Sequence, residues 1–261
     1  MQEYVQLRRD GAVAIITLDR PEKVNALDRP MLDRLIALLD EIARSGTARA
    51  LLITGAGRAF SAGQDLADPA FRIETNFDIA AVIEQTYNAI VRRLRALPIP
   101  TIAAVNGVAA GAGANLALTC DIVIAARSAS FLQAFARIGL IPDAGGTFML
   151  TRLLGEARAK ALAMLAEPLP AETAAQWGLI WKVVDDAALA GEALALAHRL
   201  ASGPTVALAL TKQAIQAASD NGLMAQLDLE RDLQAKAGRT HDFAEGIAAF
   251  LEKRKPEFRG A

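Results

Sequence analysis

Ala103-Ala104-Val105-Asn106-Gly107-Val108-Ala109-Ala110-Gly111-Ala112-Gly113-Ala114-Asn115 is the stretch on which the reading of this chain turns. An apolar strand runs into glycines and alanines, and a helix starts at about Ala112. Side chains this small leave the main chain bare to whatever approaches it. At a helix start the first N–H groups have no intrahelical acceptor, and the dipole adds partial positive charge. Negative charge is stabilised there, and the rest of the chain has to say what negative charge, made by which chemistry.

The uncharged character extends outward from Ala96 to Cys120, a length that can span a bilayer. Pro98, Pro100, Asn106, Asn115 and three glycines break that segment into strand, loop and helix. It reads as buried α/β core. Upstream, β-like runs at 3–9 and 12–18 meet at the turn Asp10-Gly11. Asp28 can cap a helix that carries Leu32, Leu35, Ile36, Leu39 and Ile42 on one face. Ala50 to Thr54 is an apolar strand, and Phe60-Ser61-Ala62-Gly63-Gln64-Asp65-Leu66 a second glycine-containing turn. Residues 67–76 read as loop and 77–96 as one helix, with Tyr87 among its apolar-side residues. Strands at 101–105, 122–126, 130–133 and 179–184 alternate with helices at 112–120, 147–153, 155–165 and 171–177. Everything after Asp186 reads as helix, broken near Gly203-Pro204 and Asn221-Gly222.

The class is therefore α/β followed by a helical tail, divided as a core over 1–200 and a C-terminal helical, oligomerisation region over 201–261. The 261 residues are 53% hydrophobic and 22% charged, with a net charge of −1, which describes a folded protein without the basic excess of a nucleic-acid binder. Cys120 is the single cysteine, so neither an internal disulfide nor a cysteine metal site is expected. The first residues lack the basic and apolar regions of a signal peptide. No membrane association is expected, and the cytoplasm is the expected compartment.

Acid–base groups are scarce around the glycine-rich turns. Between Glu84 and Glu156 the only carboxylates are Asp121 and Asp143. Asp121 lies nine residues past Ala112, roughly 13 Å along the helix, and a salt bridge is its expected role. Asp143 follows Pro142 in a glycine-flanked loop beside Leu140 and Ile141. Two readings stand: a desolvated base with a raised pKa, or an N-cap ahead of Ala144-Gly145-Gly146-Thr147. The two turns at Ala62-Gly63 and Gly111-Ala112-Gly113 also allow two readings, an oxyanion hole or tight strand–helix packing. His198 sits in an Ala/Leu-rich helix, and His241 is a candidate cap. Neither pairs with a Ser or Cys nucleophile, and no cluster has metal-ligand spacing.

Taken together, Arg20-Pro21…Asn25-Ala26-Leu27, Gly55 to Leu66, Asn106-Gly107…Gly113, Ile141-Pro142-Asp143-Ala144-Gly145-Gly146-Thr147, Ala174 to Ile180 and Glu245 to Arg254 resemble the enoyl-CoA hydratase/isomerase (crotonase) superfamily, in order along nearly the whole chain. The resemblance implies a spiral of ββα turns, a helical C-terminal region, and assembly as a homotrimer or homohexamer. It implies an acyl-CoA thioester substrate and no cofactor, coenzyme A being part of the substrate. Carried over by motif, the N–H groups of Ala62 and Ala112 hold the enolate oxygen. Lys23, Ala26, Gln64, Asp65 and Leu66 line the CoA nucleotide, and Phe250 and Lys253 reach it from the tail. Hydratases of the family use two glutamates to hold water. The matching positions here are Asn115 and Phe135, which transfer no proton and are expected to line the substrate.

A single acid–base residue, Asp143, suits isomerisation. Segments 111–114, 121–129, 134–135, 139–143 and 226–232 are similar to the subgroup of ring-1,2-epoxyphenylacetyl-CoA isomerases of phenylacetate degradation, related to enzymes that shift 3-enoyl double bonds to position 2. The rivals are a hydratase with another water activator and a non-catalytic CoA-thioester binder. The loop from Asp68 to Phe77, with Phe71 and Phe77, is expected to shape the acyl pocket.

Overall fold

The computed structural model describes residues 4–69 and 78–261. The hairpin at Asp10-Gly11 is present: β1 (Val5–Asp10) pairs antiparallel with β2 (Val13–Leu18), and Gly11 turns the chain at φ +57°. Asp28 caps α1 (Arg29–Ser45) by accepting from the Met31 N–H. That helix buries Leu32, Leu35, Leu39 and Ile42, and Met31 and Leu38 besides.

A strand–strand–helix turn then repeats. β3 (Ala50–Gly55) leads to β4 (Ala59–Ser61), β5 (Thr101–Val105) to β6 (Val108–Ala110), and β7 (Ile122–Ala126) to β8 (Ser130–Leu132). The first strand of each pair joins a six-stranded sheet in the order β1-β2-β3-β5-β7-β10, parallel from β2 onward, where β10 is Lys182–Val184. The second joins a four-stranded sheet, β4-β6-β8-β9, closed by the antiparallel β9 (Leu169–Pro170). Parallel strands covered on both faces need continuous apolar runs, and all five residues of β5 are buried. So is every residue of α4 (Ala112–Thr119), which is why the chain from Ala96 to Cys120 has no charge. Asn106 bridges the two sheets, accepting from the Gly55 N–H and donating to the carbonyls of Gly57 and Ala59.

Residues 79–96, expected as part of one helix, form two: α2 (Ile79–Gln85) and α3 (Tyr87–Ala96). The break is at buried Thr86, φ −116° and ψ −82°, whose hydroxyl donates to the Val82 carbonyl at 2.7 Å. A side chain that takes a carbonyl of the preceding turn competes with the helix. Phe71 and Phe77, expected to shape a pocket, lie outside the described residues. α5 (Gly146–Leu165) is two helices meeting at a kink at Gly155 (φ +76°), in line with the two helices expected on either side of it.

After α6 (Ala171–Gln176) and β10 come α7 (Leu189–Ala201), α8 (Thr205–Ala218), α9 (Leu223–Ala237) and α10 (His241–Glu252). The cap of α10 is Thr240 and not His241, because the Thr240 oxygen accepts from the Phe243 N–H. Asp121 meets Lys212 of α8 at 3.0 Å and also accepts from the Thr101 N–H and hydroxyl, which is the salt-bridge role expected of it. Among the described residues no single helix is long and apolar enough to cross a membrane.

Candidate active site

Two segments far apart in sequence, 23–27 and 61–66, lie side by side. Asn25 joins them from below. It has no exposed surface and a φ of +52°. Its amide donates to the carbonyls of Ala56 and Ala59, its Oδ1 accepts from the Arg20 N–H, and its main-chain carbonyl accepts the Ser61 hydroxyl. Leu27 and Gln64 then form a parallel bridge: the Leu27 N–H donates to the Gly63 carbonyl at 2.7 Å and the Asp65 N–H to the Leu27 carbonyl at 2.9 Å.

This pairing corrects the expectation for Ala62. Its N–H donates to the Val24 carbonyl at 2.9 Å and is not free for a substrate oxygen. The Gly63 N–H is taken by the Ser61 hydroxyl, and the Asp65 N–H by Leu27. In a parallel bridge one residue gives both its N–H and its carbonyl to the facing strand, here Leu27, and the residue opposite points its own N–H away. The Gln64 N–H is in that position, and among the described residues it has no acceptor. Sequence motifs place the turn to within a residue or two, whereas the direction of each N–H depends on the bridge to Leu27.

Ala112 opens α4 after Gly111, whose φ of +52° and ψ of −126° turn the chain and whose N–H donates to the Leu132 carbonyl. The Ala112 N–H likewise has no acceptor among the described residues. Gly63 backs directly onto it: at φ +84°, a Cβ there would stand 3.3 Å from the Ala112 nitrogen and 2.6 Å from the Ala110 carbonyl oxygen. Tight packing, the other reading of these glycines, also holds, since a Cβ on Gly113 would lie 2.7 Å from Ser61. The Phe135 ring covers the same corner, 3.8 Å from where a Gly111 Cβ would be, and is itself buried.

Asp143 is linked to this arrangement from the loop before α5: its main-chain carbonyl accepts from Asn115 of α4, and Tyr87, which donates to Gln64 Oε1, feels its charge. The cap reading fails: the N-cap position is Gly145, with no side-chain cap, and the chain reaches it through positive φ at Ala144 and Gly145. Asp143 Oδ1 is buried without a hydrogen-bond partner. Burial raises the carboxyl to about 6, as a carboxylate stripped of water requires. The residues credited with that effect from sequence do not supply it, because Leu140 and Ile141 are both exposed. Tyr87 is on the inner side. Its phenol is held well above its ordinary range by burial and then by the carboxylates of Asp143 and Asp68, and it donates to Gln64 Oε1. The helix break at Thr86, invisible as a pattern, is what starts α3 at this tyrosine.

Asn115, expected to line the substrate, is fully buried and spends its amide inside the protein. Nδ2 donates to the Asp143 main-chain carbonyl at 2.9 Å, and Oδ1 accepts from Gln133 Nε2 at 2.9 Å. Of the residues expected along the CoA nucleotide, Lys23 and Leu66 are exposed, and Ala26 and Gln64 half-buried, on the strip made by the 27–64 bridge. Asp65 is committed to the fold. Burial pushes its carboxyl up, but the Ala67 N–H and the Arg20 guanidinium at 2.7 Å outweigh it and hold the group below its ordinary range. Phe250 is 82% exposed on α10, beside a groove of about 530 Å³ with Phe243, Ile247 and Phe258. Lys253 is also exposed, at φ +53°. Among the described residues neither shares a hydrogen bond with the 23–27 or 61–66 segments. Among the same residues no group of three or more His, Cys, Asp or Glu side chains is arranged to hold a metal ion.

Main-chain N–H groups without acceptors at two adjoining turns, and one desolvated carboxyl tied to them through Asn115 and Tyr87, are chemically able to hold an oxyanion and to move a proton. The chain belongs to the enoyl-CoA hydratase/isomerase family, whose model matches residues 8–261. It is 52% identical over 264 residues to the 1,2-epoxyphenylacetyl-CoA isomerase of Escherichia coli K12, covering 100% of both chains. It is 51% identical over 248 residues, 95% of each chain, to a Rhodobacter capsulatus protein named "Probable enoyl-CoA hydratase". Among solved structures, the enoyl-CoA hydratase of Bacillus anthracis matches with a TM-score of 0.93 and 34% identity over 99% of this chain and 100% of that one.

Proposed function

We propose that this protein is a cofactor-independent acyl-CoA isomerase, with ring-1,2-epoxyphenylacetyl-CoA as its substrate and 3-enoyl-CoA thioesters as a related class. The observation that carries the reading is Asp143: a half-buried residue whose carboxyl Oδ1 is buried and unpartnered, while the two positions where hydratases keep glutamates hold Asn115 and Phe135. Full-length similarity to an isomerase of that substrate supports it.

The thioester oxygen lies between the N–H groups of Gln64 and Ala112, the second at a helix start. Asp143, ionised, takes a proton from the CH2 beside the thioester. The electron pair moves onto the carbonyl oxygen, where the two N–H groups stabilise it more than they stabilised the neutral carbonyl. The same carboxyl then returns the proton farther along the conjugated system. For a 3-enoyl thioester the double bond moves to position 2. For the ring epoxide the shared C–C bond opens to the seven-membered oxepin. Nothing is oxidised or reduced in either case. Lys23, Ala26 and Leu66 flank the CoA moiety, Phe135 offers an apolar wall to the ring, and the helices after residue 201 pack in a homotrimer or homohexamer, from which Phe250 and Lys253 reach the CoA.

Product analysis tests the reading. A 3-enoyl-CoA and the ring epoxide should be isomerised, while a 2-enoyl-CoA should gain no water. Formation of 3-hydroxyacyl-CoA from the 2-enoyl ester would replace the isomerase with a hydratase, the activity named for the Rhodobacter relative. Binding of every ester without turnover would make the protein a CoA-thioester binder.

A further inference from the structure

The base sits on a loop and the oxyanion donor on a helix, so their mutual register has to be fixed by something. Two groups hold the Asp143 main-chain carbonyl: the Gly146 N–H at 2.8 Å, which merely closes the turn, and Asn115 Nδ2 at 2.9 Å. Asn115 is three residues past Ala112, on the same face of α4. One side chain thus links the loop that carries the proton acceptor to the helix whose first N–H faces the substrate oxygen.

An asparagine amide does this only in one orientation, since turning it over would set oxygen against oxygen. The Asp143 carbonyl, which can only accept, fixes that orientation, and Gln133 backs it: its Nε2 donates to Asn115 Oδ1 at 2.9 Å, while its own Oε1 is buried without a partner. Gln133 is 4% exposed and follows β8, whose Leu132 carbonyl takes the Gly111 N–H. The space is filled as well as bonded. A Cβ on Gly146 would stand 2.4 Å from Asn115 Nδ2, so the glycine at the start of α5 makes room for this amide.

We propose that Gln133 and Asn115 are positioning residues for the base: Gln133 holds the Asn115 amide from behind, and Asn115 ties the Asp143 main chain to the helix that begins at Ala112. The proposal rests on the isomerase reading and deepens it. Where the family's hydratases keep a catalytic glutamate, this chain keeps an amide that touches no substrate and holds the base in place.

The link has a signature that ordinary structural support lacks. It keeps the carboxyl of a loop with exposed flanks, Leu140 and Ile141, turned away from water. Of the groups facing Asp143, Tyr87 of α3 is a neutral phenol, α4 has no titratable residue, and Arg137 of the 134–138 turn is bonded to the Ala166 carbonyl. Among the described residues Asp143 has no ion-pair partner. Releasing the loop therefore rehydrates the carboxyl with no cation to compensate, and its midpoint falls from about 6 toward the ordinary value near 4.

The test uses Asn115→Leu and Gln133→Met in the full chain. Aspartate 13C-carboxyl NMR follows Asp143 as a function of pH, assigned with Asp143→Asn. Isomerisation of a 3-enoyl-CoA and calorimetric binding of a saturated acyl-CoA are measured alongside. Both variants should lower the Asp143 midpoint and the acid limb of kcat/KM together. They should also cost about 10–100-fold in kcat, the scale expected for a misplaced reacting group, with ester affinity held within about threefold. A midpoint that stays near 6 while activity falls overturns the proposal in favour of general structural support. Weakened ester binding with an unmoved midpoint overturns it in favour of a substrate contact. Gln133→Met decides the question by itself if the Asn115 variant does not fold. A native protein that turns over no ester removes the isomerase reading, and the NMR titration still decides whether the link exists.

Discussion

Ser61 donates its hydroxyl to the main-chain carbonyl of Asn25 at 2.8 Å, and neither residue has exposed surface. Through this contact the turn before α1 sets the height of the 61–66 segment, and with it the Gln64 N–H. Asn25→Ala deletes the amide that satisfies Ala56, Ala59 and Arg20. Buried groups left without partners cost about 1–3 kcal/mol each, with partial relief from Asn106, which also donates to Ala59. Urea denaturation should show a loss of about 2–4 kcal/mol. A loss below about 1 kcal/mol would mean the turn is held by other contacts.

Asp143→Asn keeps the size of the side chain and removes its basicity. Turnover should drop by about 10²–10⁴, the usual weight of a general base, while a saturated acyl-CoA binds as before. Normal turnover in this variant would end the proposed mechanism.

The raised carboxyl also predicts a pH dependence, with a definite sign. The base works ionised, so kcat/KM should fall as pH drops through about 6. Stability runs the other way. A carboxyl whose folded value exceeds its unfolded value favours the fold fully below the unfolded value, and loses that contribution as pH rises through about 6. Asp143→Asn should therefore raise Tm at pH 8 and leave it nearly unchanged at pH 4. A uniform shift at both pH values would contradict a desolvated Asp143.

Two glycines make a matched pair. Gly63→Ala asks for a side chain at φ +84°, 2.6 Å from the Ala110 oxygen, and should cost about 1–3 kcal/mol and most of the turnover. Gly191→Ala lies inside α7 with nothing within 4 Å of its new Cβ. It should stabilise by about 0.5–1 kcal/mol, the helix propensity difference. Thermal melts of the two variants, run side by side, separate backbone strain from helix preference.

The alternation of apolar strand and helix was readable because burial on both sides of a parallel sheet demands it, and Asp28 announced its helix by chemistry alone. The break at Thr86 was not readable, since a threonine within an apolar-faced run looks like helix until its hydroxyl is seen to take the Val82 carbonyl. Asp143 could be singled out by scarcity, one of only two carboxylates between Glu84 and Glu156, but the source of its desolvation could not. The residues beside it in sequence turned outward, and the phenol that feels its charge came from α3. Ala62 was a near miss of two residues: the motif marked the turn, and only the register against Leu27 says which N–H remains unspent. Asn115 and Phe135 were visible as departures from a pattern. That one of them holds the base loop depends on a partner, Gln133, whose sequence neighbourhood signals nothing.

In the proposed mechanism the donors at Gln64 and Ala112 belong to the main chain, so no substitution short of proline deletes either one. Electrostatic activation is thus inherited with the backbone, whatever side chains accumulate around it. Proton handling falls instead to ordinary side chains, at 143 in this proposal and at the positions matching 115 and 135 in the family's hydratases. A scaffold divided in this way can exchange one reaction for another by a few replacements while retaining the costlier half of its machinery, and a lineage built on it diversifies at the proton.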